Sequence, residues 1–311
     1  MIGTMQEWRP QPEVTDHDGN PAPPNAYYFV PPPLEIGTIT SAYSNLAQGA
    51  NPDPIGRRLG CGALGIGIAG AIAFWITHTM DPATMGISIA VSALIFGAIG
   101  FWGGAKVLDC TYVGENGVAK FSWDKDPNKM RLGKVFLFQY ASELRTSQTR
   151  RYTNGVYNGT SYTFTWTDYQ GKQIHSIAGS YSSEKGTPAV GDAFYYARAA
   201  EGAWSAFAFE RAKAELAQNG AVRFNLTNGN YLVVGQGFID LAMKGQVARC
   251  STQEIDRISI KQGVVTLRRT DAKSGFFGIG SSGIFSFNYA DIGNARLFLV
   301  LLDHLVGIDF S

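Results

Sequence analysis

The chain has 311 residues, of which 45% are hydrophobic and only 16% are charged, against about 25% charged in an ordinary soluble domain. This apolar content excludes a chain that is disordered throughout, and the 37 glycines follow no Gly-X-Y period, which excludes collagen. The formal net charge is +1 and no dense basic stripe occurs, so nucleic acid is not an expected partner.

Residues 1–58 form a predicted proline-rich cytoplasmic arm. They hold ten of the thirteen prolines, and this composition is typical of an extended or disordered segment. Aromatic residues Trp8, Tyr27, Tyr28 and Phe29 lie among the prolines. The favoured interpretation is a linker that no partner recognises specifically. The aromatics could instead bind a partner or pack on the protein's own domains.

Residues 59–105 are predicted to form a transmembrane hairpin. Leu59 to Ile76 and Ile87 to Ala105 are uncharged and about as long as the ~17 to 25 residues that cross a bilayer as a helix. Between them lies THTMDPATMG, in which Asp81 and Pro82 favour a polar turn. The alternative is a pair of buried helices in a large soluble core.

The flanking charges predict the orientation of the hairpin. Arg57 and Arg58 precede the first span and Lys106 follows the second, whereas the connecting loop carries acidic Asp81. Because short loops rich in Lys and Arg stay on the cytoplasmic side, we expect a multi-pass protein of the inner (plasma) membrane with both termini cytoplasmic.

Small residues recur at a spacing of four in both spans, which lets helix backbones approach closely. We expect the two spans to pack on each other, and self-association through a remaining small face is the alternative. The residues concerned are Ala63, Gly67 and Ala71 in the first span, and Ala93 with Gly97 and Gly100 with Gly104 in the second.

After Lys106 the chain alternates apolar and polar residues between Asn-Gly and Gly turns, which predicts antiparallel strands. Two similar β units follow from this pattern, at 106–219 and 220–311, each with about six or seven short strands and one closing helix. The first helix is predicted from Asp192 to Gln218, ending at Asn219-Gly220. A second, buried helix is predicted from about Asp291 to Val306.

Four segments carry a resemblance to a known family: IGTITSAYS before the first span, TYVGENGVAKF after the second, and the paired strands FLFQYASEL and CSTQEIDRI. The chain, from about Leu34 to Ile308, resembles an uncharacterised bacterial family of membrane proteins. In that family a transmembrane hairpin is joined to pleckstrin-homology-like domains. The resemblance implies a mixed fold with two such domains, each closed by a C-terminal helix, and a lipid- or protein-binding role.

The loop KSGFFGIGSSG, between strands VVTLRRT and IFSFNY, is the predicted lipid-binding site. An apolar tip ringed by bases could enter the cytoplasmic leaflet while the bases contact lipid phosphates. The alternative is that the two phenylalanines pack back onto the barrel and the glycines only allow the turn. The predicted residues are Arg268, Arg269, Lys273, Phe276 and Phe277.

A second basic rim is conceivable in the first unit, with an ordinary solvated surface as the favoured alternative. Its residues would be Arg145, Arg150, Arg151 and Lys172.

No motif predicts catalysis, a metal or a cofactor. The G-x-G-x-x-G matches lack the strand-turn-helix order of a nucleotide site, and the four histidines and three cysteines have no ligand spacing. We therefore expect a non-enzymatic integral membrane scaffold that presents cytoplasmic lipid- or protein-binding domains. Its partners would be membrane lipid and a protein partner or a second copy bound through the hairpin. The alternative function is a subunit of a multi-component membrane transport or secretion assembly.

Overall fold

The computed structural model describes the chain in seven stretches, and the account below concerns these residues. Within them the chain forms four helices and fourteen strands, arranged in four antiparallel sheets. The predicted mixture of two apolar helices with β-rich parts is therefore confirmed. The stretches are residues 8–47, 55–103, 108–123, 130–184, 187–243, 245–273 and 282–307.

The two apolar helices are α1 (Ile55–Thr77) and α2 (Pro82–Gly103). Asp81 caps the second helix, because its Oδ1 accepts hydrogen bonds from the backbone N–H groups of Ala83 (3.1 Å) and Thr84 (3.0 Å). Proline suits the first helical position, where no N–H is needed. Pro82 thus starts α2 five residues earlier than predicted.

Glycines allow α1 and α2 to pack closely on each other. A Cβ atom on Gly65 would overlap the carbonyl oxygen of Phe96, and one on Gly100 would overlap that of Cys61. Gly97 is buried in the same contact. The two helices of the hairpin therefore form one packed pair, as the favoured interpretation of their small residues predicted.

The face of α1 that makes this contact differs from the predicted one. Ala63, Gly67 and Ala71 are exposed, and no atom lies within 4 Å of the position that a Cβ on Gly67 would take. A second set of small residues, out of phase with the first, faces α2. Spacing alone could not choose between the two sets, because both repeat at helical intervals. The small residues on the inner face are Gly62, Gly65, Ala69 and Ala73.

Both helices expose large apolar side chains. Trp75 is 76% exposed and Leu94 is 73% exposed. A core helix of a soluble protein would bury such residues. Both helices are long and apolar enough to cross a membrane.

The first unit comprises, among the described residues, a four-stranded sheet of order β1-β2-β3-β4, a three-stranded sheet of order β5-β6-β7, and a long helix. Its elements are β1 (Ile39–Ser44), β2 (Leu108–Gly114), β3 (Gly117–Trp123), β4 (Met130–Leu137), β5 (Glu143–Thr153), β6 (Val156–Thr167), β7 (Gln173–Tyr181) and α3 (Ala193–Asn219).

The hairpin is inserted into this first sheet, between its first two strands. β1 precedes the hairpin and β2 follows it, yet they pair side by side, with Ser44 opposite Cys110 and Ala42 opposite Tyr112. The sequence analysis had assigned the β1 segment to the arm. The structure places it in the sheet, so the first unit is built from both sides of the hairpin.

The described part of the arm before β1, residues 8–38, packs on the same sheet. The Trp8 ring meets Tyr28 and Tyr112 edge-on, with centroids 4.9 and 5.3 Å apart. Tyr28 is buried, and the Ala42 N–H donates to the Thr15 carbonyl (2.9 Å) beside β1. The arm's aromatics thus pack on the protein itself, which was an alternative to the favoured linker.

The second unit repeats the order of the first in the described residues: four strands, three strands and a helix. Its elements are β8 (Ala221–Asn225), β9 (Tyr231–Gly235), β10 (Phe238–Met243), β11 (Gln246–Ser251), β12 (Ile255–Lys261), β13 (Val264–Lys273), β14 (Ser282–Asn288) and α4 (Ala295–Val306).

Each unit turns a corner between its two sheets through a short 3-10 helix. Residues Phe138–Tyr140 separate β4 from β5, and Thr252–Glu254 separate β11 from β12. The segment KVFLFQYASELRTS has the apolar pattern of a single strand, but in the structure it is divided between two strands in different sheets. The two segments paired by resemblance, FLFQYASEL and CSTQEIDRI, both lie at these corners.

The predicted helix ends are confirmed in α3. The Asp192 carboxylate accepts a hydrogen bond from the Phe194 N–H (2.8 Å), and Gly220 takes the left-handed conformation (φ 71°) after the last turn. The predicted buried helix at the C-terminal end is α4, in which Phe298 and Leu302 are fully buried.

We expect Gly65→Ala to lower the thermal unfolding midpoint of the full chain in detergent. The added methyl group meets the Phe96 carbonyl, and such overpacking costs about 1–3 kcal/mol. Gly67→Ala is the matched control, because both changes gain the same helix propensity but Gly67 has open space. Equal midpoints for the two variants would contradict the packing.

Candidate functional site

Three of the five predicted lipid-binding residues, Arg268, Arg269 and Lys273, lie on β13. Arg268 pairs with Asp256 (3.4 Å). Arg269 contacts two carboxylates, Glu254 at 3.2 Å and Asp271 at 3.0 Å, and its side chain is only 25% exposed.

Lys273 is exposed at the last position of β13, while Phe276 and Phe277 lie outside the described residues. The arginines are thus already held by neighbouring acids. Of the three bases, Lys273 and Arg268 are the more accessible to a lipid phosphate.

The conceivable basic rim of the first unit does not form. Arg145 points into the protein, where it donates to the Asp291 carbonyl (2.6 Å) and pairs with Glu143 (3.1 Å). Arg150 lies opposite Thr160 on β6, whereas the turn that holds Lys172 follows the other end of that strand. From Thr160 to the end of β6 the strand runs for seven residues, or about 23 Å, so Arg150 and Lys172 lie at opposite ends of the sheet.

A polar junction between the two units centres on Asn294, at the start of α4. Its Oδ1 accepts hydrogen bonds from the Leu144 N–H (2.9 Å) and the Trp204 indole N–H (2.8 Å). Its own N–H donates to the Leu144 carbonyl (2.8 Å). The backbone is left-handed (φ 57°), which asparagine tolerates better than most residues. One residue thereby joins β5, α3 and α4.

Further contacts tie the units together around this point. The Gly293 N–H donates to the Asn225 carbonyl (2.9 Å), and the Asn225 amide donates to Glu143. A Cβ atom on Gly293 would lie 2.6 Å from the Glu143 carboxylate, so any larger residue there would displace that carboxylate. Residues of both units, including Phe138 and Phe298, belong to one continuous hydrophobic core.

Two clefts open along this junction. The first has a volume of about 800 Å³, and several charged residues line it. Arg145 pairs with Glu143, and Arg211 donates to the Ala141 carbonyl (2.9 Å) and the Tyr169 hydroxyl (2.6 Å). Both arginines are therefore already bound to groups of the protein itself.

The second cleft, of about 640 Å³, contains a buried carboxylate. Glu201 is 6% exposed, and its Oε2 lies 3.7 Å from Nε of Arg198. Burial raises the pKa of Glu201, while Arg198 and Arg296 oppose this rise. Burial, with the nearby Glu201 charge, also raises the pKa of Tyr289 to about 12.

The sequence analysis missed Glu201. The only signal was its position within α3, among residues that face the core at helical spacing. A single carboxylate on such a face is easily taken for a surface residue in an alanine-rich helix. The neighbouring buried positions are Ala197, Ala200, Trp204 and Ala208.

A further polar contact, made by His17, connects the arm to the first unit. Its Nδ1 and Nε2 lie 2.8 Å from the hydroxyls of Ser41 and Thr111, and its ring lies 5.1 Å from that of Tyr196 on α3. Burial lowers the pKa of His17 to about 3, so the ring is neutral at physiological pH. Its role here is structural.

Across the described stretches, no group of three or more His, Cys, Asp or Glu residues could hold a metal ion. No protein-family model matches the chain, and no curated protein matches it in sequence.

We expect Asn294→Gly to destabilise the folded chain by about 2–6 kcal/mol. Glycine keeps the left-handed backbone but removes the acceptor of two buried N–H groups, each of which costs about 1–3 kcal/mol when unpaired. Denaturant unfolding followed by tryptophan fluorescence measures the change.

Asn154→Gly is the control, because Asn154 has a similar backbone (φ 51°) in the exposed β5–β6 turn. That change should stay within about 0.5 kcal/mol. A similarly small effect at Asn294 would show that the junction does not depend on its side chain.

Proposed function

We propose that this protein is a non-enzymatic integral membrane scaffold that holds two pleckstrin-homology-like domains at the cytoplasmic face of the plasma membrane. The observation that carries the proposal is the insertion of the apolar hairpin between β1 and β2. Its apolar side chains, such as Trp75 and Leu94, face outward, where lipid would cover them.

The short connections support a positioning role. Ten residues join β1 to α1 and four join α2 to β2. Four residues allow at most about 19 Å between the end of α2 and the start of β2. The first unit would therefore sit at the bilayer surface, where a weak affinity for lipid or protein acts at high effective concentration.

The domain type is proposed from the strand order. A four-stranded and a three-stranded antiparallel sheet followed by a helix occur twice in the described residues, which supports the two β-rich, helix-closed domains that the family resemblance implies. The close packing of the units around Asn294 supports a scaffold of fixed shape, because both share one core.

A second candidate function, a subunit of a multi-component membrane transport or secretion assembly, is favoured by the outer face of α1. Ala63, Gly67 and Ala71 form an exposed small-residue stripe on that helix. Such a stripe would let another membrane helix approach closely.

We expect a membrane-impermeant thiol reagent to label Gln170→Cys only after cells are opened and Thr79→Cys in intact cells. Gln170 lies in the exposed β6–β7 turn and Thr79 in the exposed α1–α2 loop, so they should lie on opposite sides of the membrane. The unsubstituted chain gives the background, which should be low because Cys110 and Cys250 are buried and the half-buried Cys61 lies within the apolar helix α1. Labelling of Gln170→Cys in intact cells would overturn the orientation.

For the lipid-binding loop, we expect an environment-sensitive dye on Phe276→Cys to report an apolar environment in anionic proteoliposomes and less so in neutral ones. Salt should weaken the response, because well-placed bases contribute about 1 kcal/mol each. Arg268→Gln with Lys273→Gln removes two such bases and should reduce the preference for anionic vesicles about thirtyfold.

Arg150→Gln with Arg151→Gln removes the same charge from the exposed β5–β6 hairpin and is the control. It should leave the dye response unchanged. Equal responses in neutral and anionic vesicles would contradict recognition of anionic lipid by this loop.

A further inference from the structure

The second cleft holds a carboxylate whose hydrogen-bonding capacity is unused. Glu201 is 6% exposed and lines the cleft. Among the described residues, the contact of its carboxylate is the Arg198 ion pair at 3.7 Å, which is longer than a hydrogen bond. Buried carboxylates normally accept several hydrogen bonds, so this one is available to a donor that enters the cleft.

Two cations stand beside this carboxylate, and they come from different units. Arg198 lies on α3 three residues before Glu201, and Arg296 lies on α4. The second reaches the turn of α3 that holds Glu201, because Nη1 of Arg296 lies 3.8 Å from the position that a Cβ on Gly202 would take. Both guanidinium groups line the cleft and are exposed to it, so both can still bind an anion.

The rest of the lining is partly apolar. Phe164, Ile260 and Leu299 form that part, and Tyr289 and Thr146 add hydroxyl groups. The cleft volume of about 640 Å³ falls in the range of small-molecule sites, which commonly lie where two domains meet.

We propose that this cleft binds a free apolar α-amino acid, with its ammonium group on Glu201 and its carboxylate on Arg198 and Arg296. The acceptor, Oε2 of Glu201, and the donor, Nε of Arg198, are 3.7 Å apart. This spacing matches the ammonium and carboxylate groups of an α-amino acid, which are both attached to one carbon atom. In a peptide the amine and the carboxylate belong to different residues, so the free amino acid fits better. The apolar side chain would lie against Phe164 and Leu299. This proposal does not depend on the membrane function.

The test uses the full chain in detergent and three matched probes: L-phenylalanine, 3-phenylpropionate, which lacks the ammonium group, and phenethylamine, which lacks the carboxylate. Calorimetry should show L-phenylalanine binding at least about tenfold more tightly than either of the others. Equal affinities, or no binding of L-phenylalanine at concentrations on the order of 10 mM, would overturn the proposal.

Two variants assign the two ends of the ligand. Glu201→Gln should weaken the binding of L-phenylalanine and phenethylamine and leave that of 3-phenylpropionate unchanged. Arg296→Gln should weaken the binding of L-phenylalanine and 3-phenylpropionate and leave that of phenethylamine unchanged. Arg150→Gln, an exposed change outside the cleft lining, should leave all three unchanged.

Arg296 is exposed, so its variant should fold even if the buried Glu201→Gln chain does not. Parallel loss of all three probes in Arg296→Gln would contradict the assigned orientation and overturn the proposal. If Arg296→Gln weakened the binding of L-phenylalanine and 3-phenylpropionate only, the result would support the proposal.

Discussion

The antiparallel pairing of β1 with β2 determines the position of most other parts of this protein. The two strands are neighbours in the sheet, although the whole apolar hairpin lies between them in the chain. Both ends of the hairpin must therefore return to adjacent strands, about 5 Å apart. The same pairing draws the arm onto the sheet, where Trp8 and Tyr28 pack against Tyr112 of β2. Hairpin, arm and first sheet are thus one structural unit.

The second constraint is the junction around Asn294. It joins units that each have a complete set of two sheets and a helix, and it fills the space between them with shared core and paired charges. Because the units are fixed to each other, the clefts along the junction have defined walls. A binding site assembled from α3 and α4 needs this rigidity, since Glu201 and Arg296 come from different units.

The sequence predicted the features that depend on local patterns: the apolar helices, the capped ends of α3, and the repeated order of strands followed by a helix. It missed those that depend on distant contacts. The partner of β1 lies beyond the hairpin, and no local signal marks such a pairing. The contact face of α1 needed its neighbour's position, because two small-residue stripes fit equally well. Likewise, Arg145 and Glu201 look like surface charges until the second unit covers them.

Because the hairpin lies between two paired strands, folding of the first sheet depends on how the hairpin is made and inserted. β1 leaves the ribosome before the membrane segments and β2 leaves after them, so the first sheet cannot close during synthesis until both helices are in place. If the hairpin crosses the bilayer as proposed, insertion of only one helix would leave β1 and β2 on opposite sides. Such a chain would expose an unpaired sheet edge, which is a signal for aggregation or degradation. The protein would in this way proofread its own topology.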